Sequence, residues 1–155
     1  AGHSHKYKQK GGSGYLFRTA TVQDFSAVTG ACLLVRASVY DEVGGLDEQF
    51  AVAFNDVDFC LRVRDAGYRI AWTPYAQLVH YESKSRGGDE KDPAKAARFA
   101  AEQQRLYAIH GKEDILDDPY YNPNLTRDRE DFSESDDLRR LKEGTVTVRF
   151  RGGEA

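Results

Sequence analysis

The sequence predicts an α/β domain in which helices flank a mixed sheet. Three observations support this fold class. Residues 55–66 carry apolar side chains at helical spacing and end at Gly67, which is typical of a docked helix. Residues 25–36 form a near-continuous apolar run with small residues interspersed, which indicates a buried central strand that passes close to another backbone or a ligand. Residues 68–73 alternate in polarity as a further strand does.

Length and charge narrow the class of protein. A chain of 155 residues can bury a substantial core and is most simply one domain. Lys plus Arg number 22 against 25 Asp plus Glu, and the net charge of -3 gives no electrostatic argument for a nucleic-acid partner. Two cysteines, Cys32 and Cys60, fit reduced core thiols better than a disulfide or a metal site, which favours a cytoplasmic protein.

The N-terminal part of the chain is predicted to be irregular. Residues 1–14 are polar and rich in Gly and Ser, and we interpret them as a flexible loop. His3 and His5 lie in this loop, but two histidines make an incomplete metal site. After the central strand, residues 37–43 are predicted to form a short helix that ends at a pair of glycines.

A second long helix is predicted over residues 93–110. Asp92 supplies a capping carboxylate, Pro93 suits the first helical position, and Gly111 ends the helix. Its packed face is predicted to consist of Ala96, Phe99, Ala100, Gln103, Leu106 and Tyr107. The main domain therefore covers residues 15–111, and residues 112–155 form an irregular extension punctuated by prolines and charge.

Two aspartates stand at the start of the helix that begins near residue 55. Asn55 or Asp56 can cap its first turn by accepting a backbone hydrogen bond. Asp56 and Asp58 point about 200° apart around the axis, so they cannot both face one cleft. Asp58 lies four residues before Arg62, the spacing of a helical ion pair, whereas Asp56 has no such partner. Asp56 is therefore the candidate functional carboxylate.

A succession of motifs resembles the C-terminal half of family 2 glycosyltransferases, of the type found in bacterial proteins that build surface polysaccharides or O-antigen. The resemblance covers roughly residues 26 to 87, and five motifs in order are more specific than any one of them. The motifs are Val28-Thr29-Gly30-Ala31-Cys32-Leu33-Leu34-Val35-Arg36, Val43-Gly44-Gly45-Leu46-Asp47-Glu48-Gln49-Phe50, Asn55-Asp56-Val57-Asp58-Phe59-Cys60-Leu61-Arg62, Ala66-Gly67-Tyr68-Arg69 and Val79-His80-Tyr81-Glu82-Ser83.

The resemblance implies a GT-A-like fold. Family members carry an N-terminal nucleotide-binding half that ends in an Asp-x-Asp motif, and we expect this chain to lack that half. It also implies an inverting transfer from a nucleotide-diphosphate sugar to a saccharide acceptor. Asp56 stands where the family has its general base, and Asn55 replaces the usual glutamate before it. His80 matches a histidine that in some members helps to hold a divalent metal, Mn²⁺ or Mg²⁺. Because the half that binds the nucleotide is expected to be absent, we expect the isolated chain to be inactive.

Asn55 and four further residues are candidates for substrate binding. Thr29 and Gly30 could border an acceptor pocket, where a small residue allows close approach, or could only satisfy packing. Trp72 and Arg86 could line a sugar or phosphate site, although aromatic strand residues are usually core and exposed arginines are usually solvated.

Alternatives to an enzyme also fit the sequence. A non-catalytic carbohydrate-binding or scaffold module could retain the same half-fold. A dimerising module could pair two copies through an exposed sheet or through the helix over residues 93–110. For the enzyme, the resemblance implies a cytoplasmic location, at the inner face of the bacterial membrane.

Overall fold

The computed structural model describes residues 11–79, 92–129 and 131–135. In chain order its elements are β1 (Gln23–Asp24), α1 (Ala37–Glu42), α2 (Asn55–Asp65), β2 (Ala71–Trp72), α3 (Pro93–His110) and α4 (Lys112–Leu116), with 3₁₀ turns at Tyr15–Phe17 and Gly30–Cys32. Helices and strands in one unit confirm the α/β class. In the described ranges, no helix is long and apolar enough to cross a membrane.

The sheet of the described residues is a two-stranded antiparallel pair. Gln23 of β1 lies opposite Trp72 of β2, and Asp24 lies opposite Ala71. The backbone N–H of Phe25 extends this pairing by donating to the carbonyl of Ile70 at 3.0 Å. The pairing therefore joins the segment before the apolar run to the segment after α2.

The prediction of a buried central strand over residues 25–36 is wrong. Residues Gly30–Cys32 form a 3₁₀ turn that Thr29 caps by accepting a hydrogen bond from the Ala31 N–H. Leu34 is 97% exposed. Cys32 is exposed as well, which also overturns its assignment as a core thiol. The apolar run does not become a strand because the threonine cap bends it and only one side of the chain after the turn faces the core.

Helix α2 provides the centre of the larger core cluster. Phe59, Cys60 and Val63 are almost fully buried and pack with Val39 of α1 and with Ile70. Burial raises the pKa of the Cys60 thiol, as expected for an inert core cysteine. Of the residues that the apolar spacing predicts on the packed side, Cys60 and Val63 lie in this cluster, Val57 and Leu61 pack against the smaller one, and Phe59 was missed.

The two ends of α2 differ in how well the sequence predicts them. The cap position is Phe54, which has a left-handed backbone with φ of 64°, and not Asn55 or Asp56. The C-terminal end matches the prediction, because Gly67 has φ of 89° and donates its N–H to the carbonyl of Arg64. The side chains of Asn55 and Asp56 instead each accept a hydrogen bond from the backbone N–H of the next residue.

Helix α3 begins and ends as predicted, and its predicted packed face is confirmed in part. Asp92 accepts a hydrogen bond from the Ala94 N–H at 3.0 Å, with Pro93 in the first turn. Leu106 is buried against Phe50 and Phe54, whereas Ala96 and Ala100 of the predicted face are exposed.

A polar contact that the apolar pattern did not predict also holds α3 to the core. Glu102 is only 5% exposed, and its carboxylate accepts a hydrogen bond from the Ala53 N–H, in the loop that leads into α2. Phe99 remains 49% exposed although its ring lies 4.9 Å from that of Phe54. Pairing of two copies through this helix or through an exposed sheet stays a prediction.

Residues after α3 fold back onto the start of the described chain. Residues 112–116, predicted to be irregular, form α4. Beyond it, the Arg18 guanidinium donates to the Tyr120 carbonyl at 3.3 Å, and the rings of Tyr15 and Phe132 stack with centroids 5.1 Å apart. The division of the chain at residues 14 and 111 stays a prediction.

Candidate functional site

The N-terminus of α2 borders an open pocket of about 540 Å³. Four residues predicted to bind substrate or act on it lie together here: Thr29, Gly30, Asn55 and Asp56. The first two come from the 3₁₀ turn and the last two from the first turn of α2. The pocket is completed by Ala31, Leu33, Val35, Tyr40, Leu46, Val52 and Phe59.

Asp56 is half-buried at this pocket, with its carboxylate held by two backbone donors. Oδ2 accepts the Gly30 N–H at 2.8 Å, and Oδ1 accepts the Val57 N–H at 2.9 Å. A carboxylate offers about four lone-pair sites, so each oxygen keeps accepting capacity after these bonds. The side chain is thus fixed in direction and can still accept a proton or a hydrogen bond from a ligand.

Gly30 approaches Asp56 so closely that a side chain at this position would touch it. A Cβ added to Gly30 would lie 3.3 Å from the Asp56 Cβ and 3.7 Å from Oδ2. The first distance is tighter than an ordinary van der Waals contact. A glycine here therefore lets the turn come within hydrogen-bond distance of the carboxylate.

Asn55 and Thr29 add polar groups on either side of Asp56. The Asn55 Oδ1 accepts the Asp56 N–H at 2.8 Å, which leaves the donor end of its amide to face a ligand. The Thr29 Oγ1 accepts the Ala31 N–H at 3.3 Å and keeps its own O–H to donate. Together with the carboxylate, these groups can hold the hydroxyls of a polar ligand.

The remaining lining is mainly apolar, and we did not predict it from the sequence. Leu33, Val35 and Val52 are half-buried side chains of this wall. A signal was present after the turn, because Leu33 and Val35 line the pocket and alternate with the exposed Leu34 and Arg36. A period of two indicates a one-sided extended segment.

Asp58 lies on the other side of α2 and is engaged in the protein interior. Its side chain is 2% exposed, and Oδ2 accepts from the Arg62 Nη2 at 2.7 Å and from Nε at 3.0 Å. Its Oδ1 lies 2.8 Å from the Nε2 of His110, at the end of α3. The predicted ion pair with Arg62 is confirmed. His110 is a third member that the sequence does not reveal.

The other predicted site residues lie elsewhere. Trp72 does not line the pocket; its ring packs edge-on against Phe25 with centroids 6.3 Å apart. Its role in substrate binding stays a prediction. Arg86 and His80 lie outside the described residues.

The described residues do not form the ligand set of a divalent metal. Across the described ranges, no three His, Cys, Asp or Glu side chains come together as such a site needs. Asp56 is the one carboxylate in the pocket lining, and Asp58 is committed to Arg62 and His110. Metal binding by His80 stays a proposal, and we assign no chemical step to a metal.

Comparison with known proteins identifies the family. Residues 4–107 match the family described as glycosyl transferase family group 2. The chain is 47% identical over 133 residues to the uncharacterized protein y4gI of Sinorhizobium fredii, covering 85% of this chain and 14% of that protein. It is 35% identical over 108 residues to the O-antigen biosynthesis protein RfbC of Myxococcus xanthus, covering 70% of this chain and 8% of that protein.

A third relative carries a specific enzyme name. Over 80 residues the chain is 36% identical to the N-acetylglucosaminyl-diphospho-decaprenol L-rhamnosyltransferase of Mycobacterium tuberculosis, covering 52% of this chain and 24% of that protein. No solved structure gives a significant match. The chain belongs to glycosyl transferase family group 2, and it spans less than a quarter of the length of each of these relatives.

Proposed function

We propose that this chain forms the acceptor side of an inverting glycosyltransferase, with Asp56 as the general base. The observation that carries the proposal is the position of its carboxylate. It borders the pocket, is oriented by the N–H groups of Gly30 and Val57, and lacks a cationic partner among the residues of the pocket lining. Family membership supplies the reaction class.

The proposed reaction requires a general base from the acceptor side of the site. An acceptor hydroxyl would donate its hydrogen bond to Asp56 and transfer its proton to the carboxylate as its oxygen attacks the anomeric carbon. The new oxygen–carbon bond forms as the bond from that carbon to the diphosphate oxygen breaks. The electron pair leaves with the nucleoside diphosphate, and attack from the opposite face inverts the configuration.

The donor is proposed to bind mainly outside the described pocket. No Lys, Arg or His stands among the residues of the pocket lining, so none of them offers a positive charge to a diphosphate. We propose that other parts of a longer polypeptide bind the nucleotide sugar in a GT-A-like fold, and that the isolated chain does not turn over. The small share of each relative that the chain covers supports this view.

The biological setting follows from the names of the relatives. One is an O-antigen biosynthesis protein and another a rhamnosyltransferase. We propose that the enzyme containing this chain transfers a sugar to a saccharide acceptor during surface polysaccharide synthesis, in the cytoplasm at the inner face of the bacterial membrane. The donor is a nucleotide-diphosphate sugar.

The Asp56→Asn substitution tests this proposal in the full-length protein that contains the chain. We expect turnover to fall by about 10²- to 10⁴-fold, the usual contribution of a positioned base. Asn has nearly the same shape, and its single amide oxygen can keep one of the two backbone hydrogen bonds. Transfer is measured as release of nucleoside diphosphate together with the glycosylated product.

Asp65→Asn is the matched control. Asp65 is an exposed aspartate at the other end of α2, away from the pocket, and its substitution should leave turnover unchanged. Near-normal transfer by the Asp56→Asn protein would remove the proposed base. Turnover by the isolated chain would contradict the view that it needs further polypeptide.

A further inference from the structure

The residue that precedes α2 has a strained backbone. Phe54 has φ of 64° and ψ of 2°, in the left-handed region that a bulky residue adopts only where its surroundings hold it there. Its carbonyl accepts the Asp58 N–H at 2.8 Å, so the first hydrogen bond of α2 starts from this residue. Asp56 comes two positions later. The conformation of Phe54 therefore sets the direction in which the first turn of α2, with Asp56, leaves the preceding loop.

Helix α3 holds both the backbone and the ring of this strained segment. The Glu102 carboxylate accepts a hydrogen bond from the Ala53 N–H at 2.5 Å, directly before Phe54. The Phe54 ring packs against the buried Leu106, and its centroid lies 4.9 Å from that of the Phe99 ring. One helix therefore fixes the residue before Phe54 and the Phe54 side chain itself.

Glu102 is a costly side chain for its position. It is 5% exposed, and burying a carboxylate costs free energy that an apolar side chain of similar size would not. Its hydrogen bond with the Ala53 N–H offsets part of that cost and favours one conformation of the loop. The body of α2 is held separately, because Phe59, Cys60 and Val63 pack in the larger core cluster. Loss of the Glu102 bond should therefore shift the start of α2 more than its body.

We infer that Glu102 is a positioning residue for Asp56 and acts by holding Phe54 in its left-handed conformation. The inference rests on the proposed role of Asp56 as the base, and it adds a residue that is not among those of the pocket lining. A base must lie within hydrogen-bond distance of the proton that it takes. A displacement of the first turn of α2 by about 1 Å or less therefore lowers the rate of transfer.

The Gly30 amide, which donates to the Asp56 carboxylate at 2.8 Å, gives a readout that does not depend on activity. Its proton resonance is measured by NMR in the isolated chain and in two variants. Asp56→Ala removes the carboxylate and marks the resonance of the unbonded amide. We expect Glu102→Ala to move the resonance upfield, part of the way to that mark, because the hydrogen bond lengthens. Glu113→Ala, at an exposed glutamate of α4, is the matched control and should leave it unchanged.

Kinetics of the full-length protein that contains the chain show whether this displacement affects the reaction. Glu102→Ala should lower kcat about tenfold, part of the 10²- to 10⁴-fold contribution of a positioned base, and change the KM for the acceptor by less than about twofold. A residue that only stabilised the fold would leave kcat per folded molecule unchanged. Glu102→Gln keeps an oxygen that can accept the Ala53 N–H, so it should retain most of the activity and the wild-type Gly30 resonance.

A second variant provides the test if Glu102→Ala does not fold. Phe99→Ala removes a ring that is 49% exposed, so the fold should tolerate the change, and it loosens the packing around Phe54. It should move the Gly30 resonance in the same direction as Glu102→Ala and lower kcat by a smaller factor.

Three results would overturn the inference. The first is a Gly30 resonance that stays at its wild-type position in folded Glu102→Ala, or in Phe99→Ala where Glu102→Ala does not fold. The second is an unchanged kcat in the same variant, with or without a change in KM, although Asp56→Asn abolishes transfer. The third is an equal loss of activity in Glu102→Gln and Glu102→Ala.

These results are distinct from failure of the proposed function. If Asp56→Asn abolishes transfer while the Gly30 resonance does not respond to Glu102→Ala, the positioning role alone is wrong. If the resonance responds while Asp56→Asn keeps full activity, the role of the base is wrong and the structural link from Glu102 to Asp56 stands.

Discussion

Asp56 and Asp58 are two residues apart on α2, yet their surroundings are opposite. Asp58 is almost fully buried and is held by side chains, with Arg62 on one oxygen and His110 on the other. Asp56 is half-buried and is held by the backbone N–H groups of Gly30 and Val57. One carboxylate joins two helices in the interior, and the other faces a pocket.

The difference shows how one helix can hold one aspartate in the interior and present another to a pocket. A buried carboxylate needs charged or hydrogen-bonding partners because the loss of its hydration would otherwise destabilise the folded protein. Those partners then occupy its oxygens. A carboxylate held by backbone donors at the protein surface keeps lone pairs that a ligand can reach. The comparison therefore makes separate predictions for stability and for activity.

The largest expected effect on stability comes from Asp58→Ala. This change leaves the Arg62 guanidinium and the His110 ring without their shared carboxylate in a buried position. Removing one partner of such a cluster should lower the free energy of unfolding by about 3 kcal/mol, at the low end for buried pairs because Arg62 retains some solvent contact. Urea unfolding of the chain, followed by circular dichroism, measures the loss.

Asp56→Ala provides the comparison for this prediction. Its two backbone donors lie at a partly exposed position where water can replace the carboxylate. The loss should be about 1 kcal/mol or less, as for a helix-capping residue. Equal losses in the two variants would mean that the interior role of Asp58 has been overestimated.

A smaller effect, on activity, is expected from Gly30→Ala. The added methyl group would press on Asp56 at 3.3 Å and displace the carboxylate by a few tenths of an ångström. We expect turnover of the full-length protein to fall about tenfold, since a displaced base loses part of its 10²- to 10⁴-fold contribution. Stability should change little.

A double-mutant cycle sharpens this test. In the Asp56→Asn background the displaced group is no longer a base, so Gly30→Ala should have little further effect on turnover. An undiminished tenfold loss in that background would show that Gly30 acts independently of Asp56. The cycle thus separates positioning of the carboxylate from a general disturbance of the pocket.

The smallest expected effect concerns an ion pair that is more exposed than that of Asp58. The Arg105 Nη2 donates to Asp47 at 2.8 Å, and this bond, with one from the Gln49 N–H, lowers the pKa of the Asp47 carboxyl below its ordinary value of 3.8. Because the pKa of Asp47 is lower in the folded state, its interactions with Arg105 and Gln49 stabilise the fold above pH 3.8. This stabilisation is lost as the pH falls through the lowered pKa.

Thermal unfolding between pH 2 and 7 checks this small effect. The wild-type chain should unfold at a slightly higher temperature than Asp47→Asn at neutral pH, and the difference should vanish in acid. Glu48→Gln, at the exposed neighbouring position, is the control and should show no such convergence. A difference between wild type and Asp47→Asn that persists at the lowest pH would contradict the assignment.

Local signals in the sequence predicted the features that depend on nearby residues. The Asp58–Arg62 pair follows from a spacing of four, and the start of α3 follows from Asp92 and Pro93. The choice of Asp56 as the functional acid came from the same argument and from the family resemblance. The structure places that residue at a pocket; its role in catalysis stays a proposal.

Features that depend on distant residues could not be predicted. The hydrogen bond from Gly30 to Asp56 spans 26 positions, and that between Asp58 and His110 spans 52. The hydrogen bond from the Ala53 N–H to Glu102 spans 49 positions, so the apolar pattern alone did not reveal that this carboxylate is buried. The composition of residues 25–36 indicated a buried strand, but the chain instead forms the 3₁₀ turn that Thr29 caps.

The paired backbone bonds to Asp56 bear on which linkage is made. A carboxylate anchored at both oxygens does not rotate to meet different hydroxyls of the same sugar. If Asp56 is the base, the orientation of the acceptor in the pocket selects the hydroxyl that loses its proton. Regioselectivity would then be set by the lining residues that orient the acceptor, and substitutions at Leu33 or Val35 would change the position of the glycosidic bond.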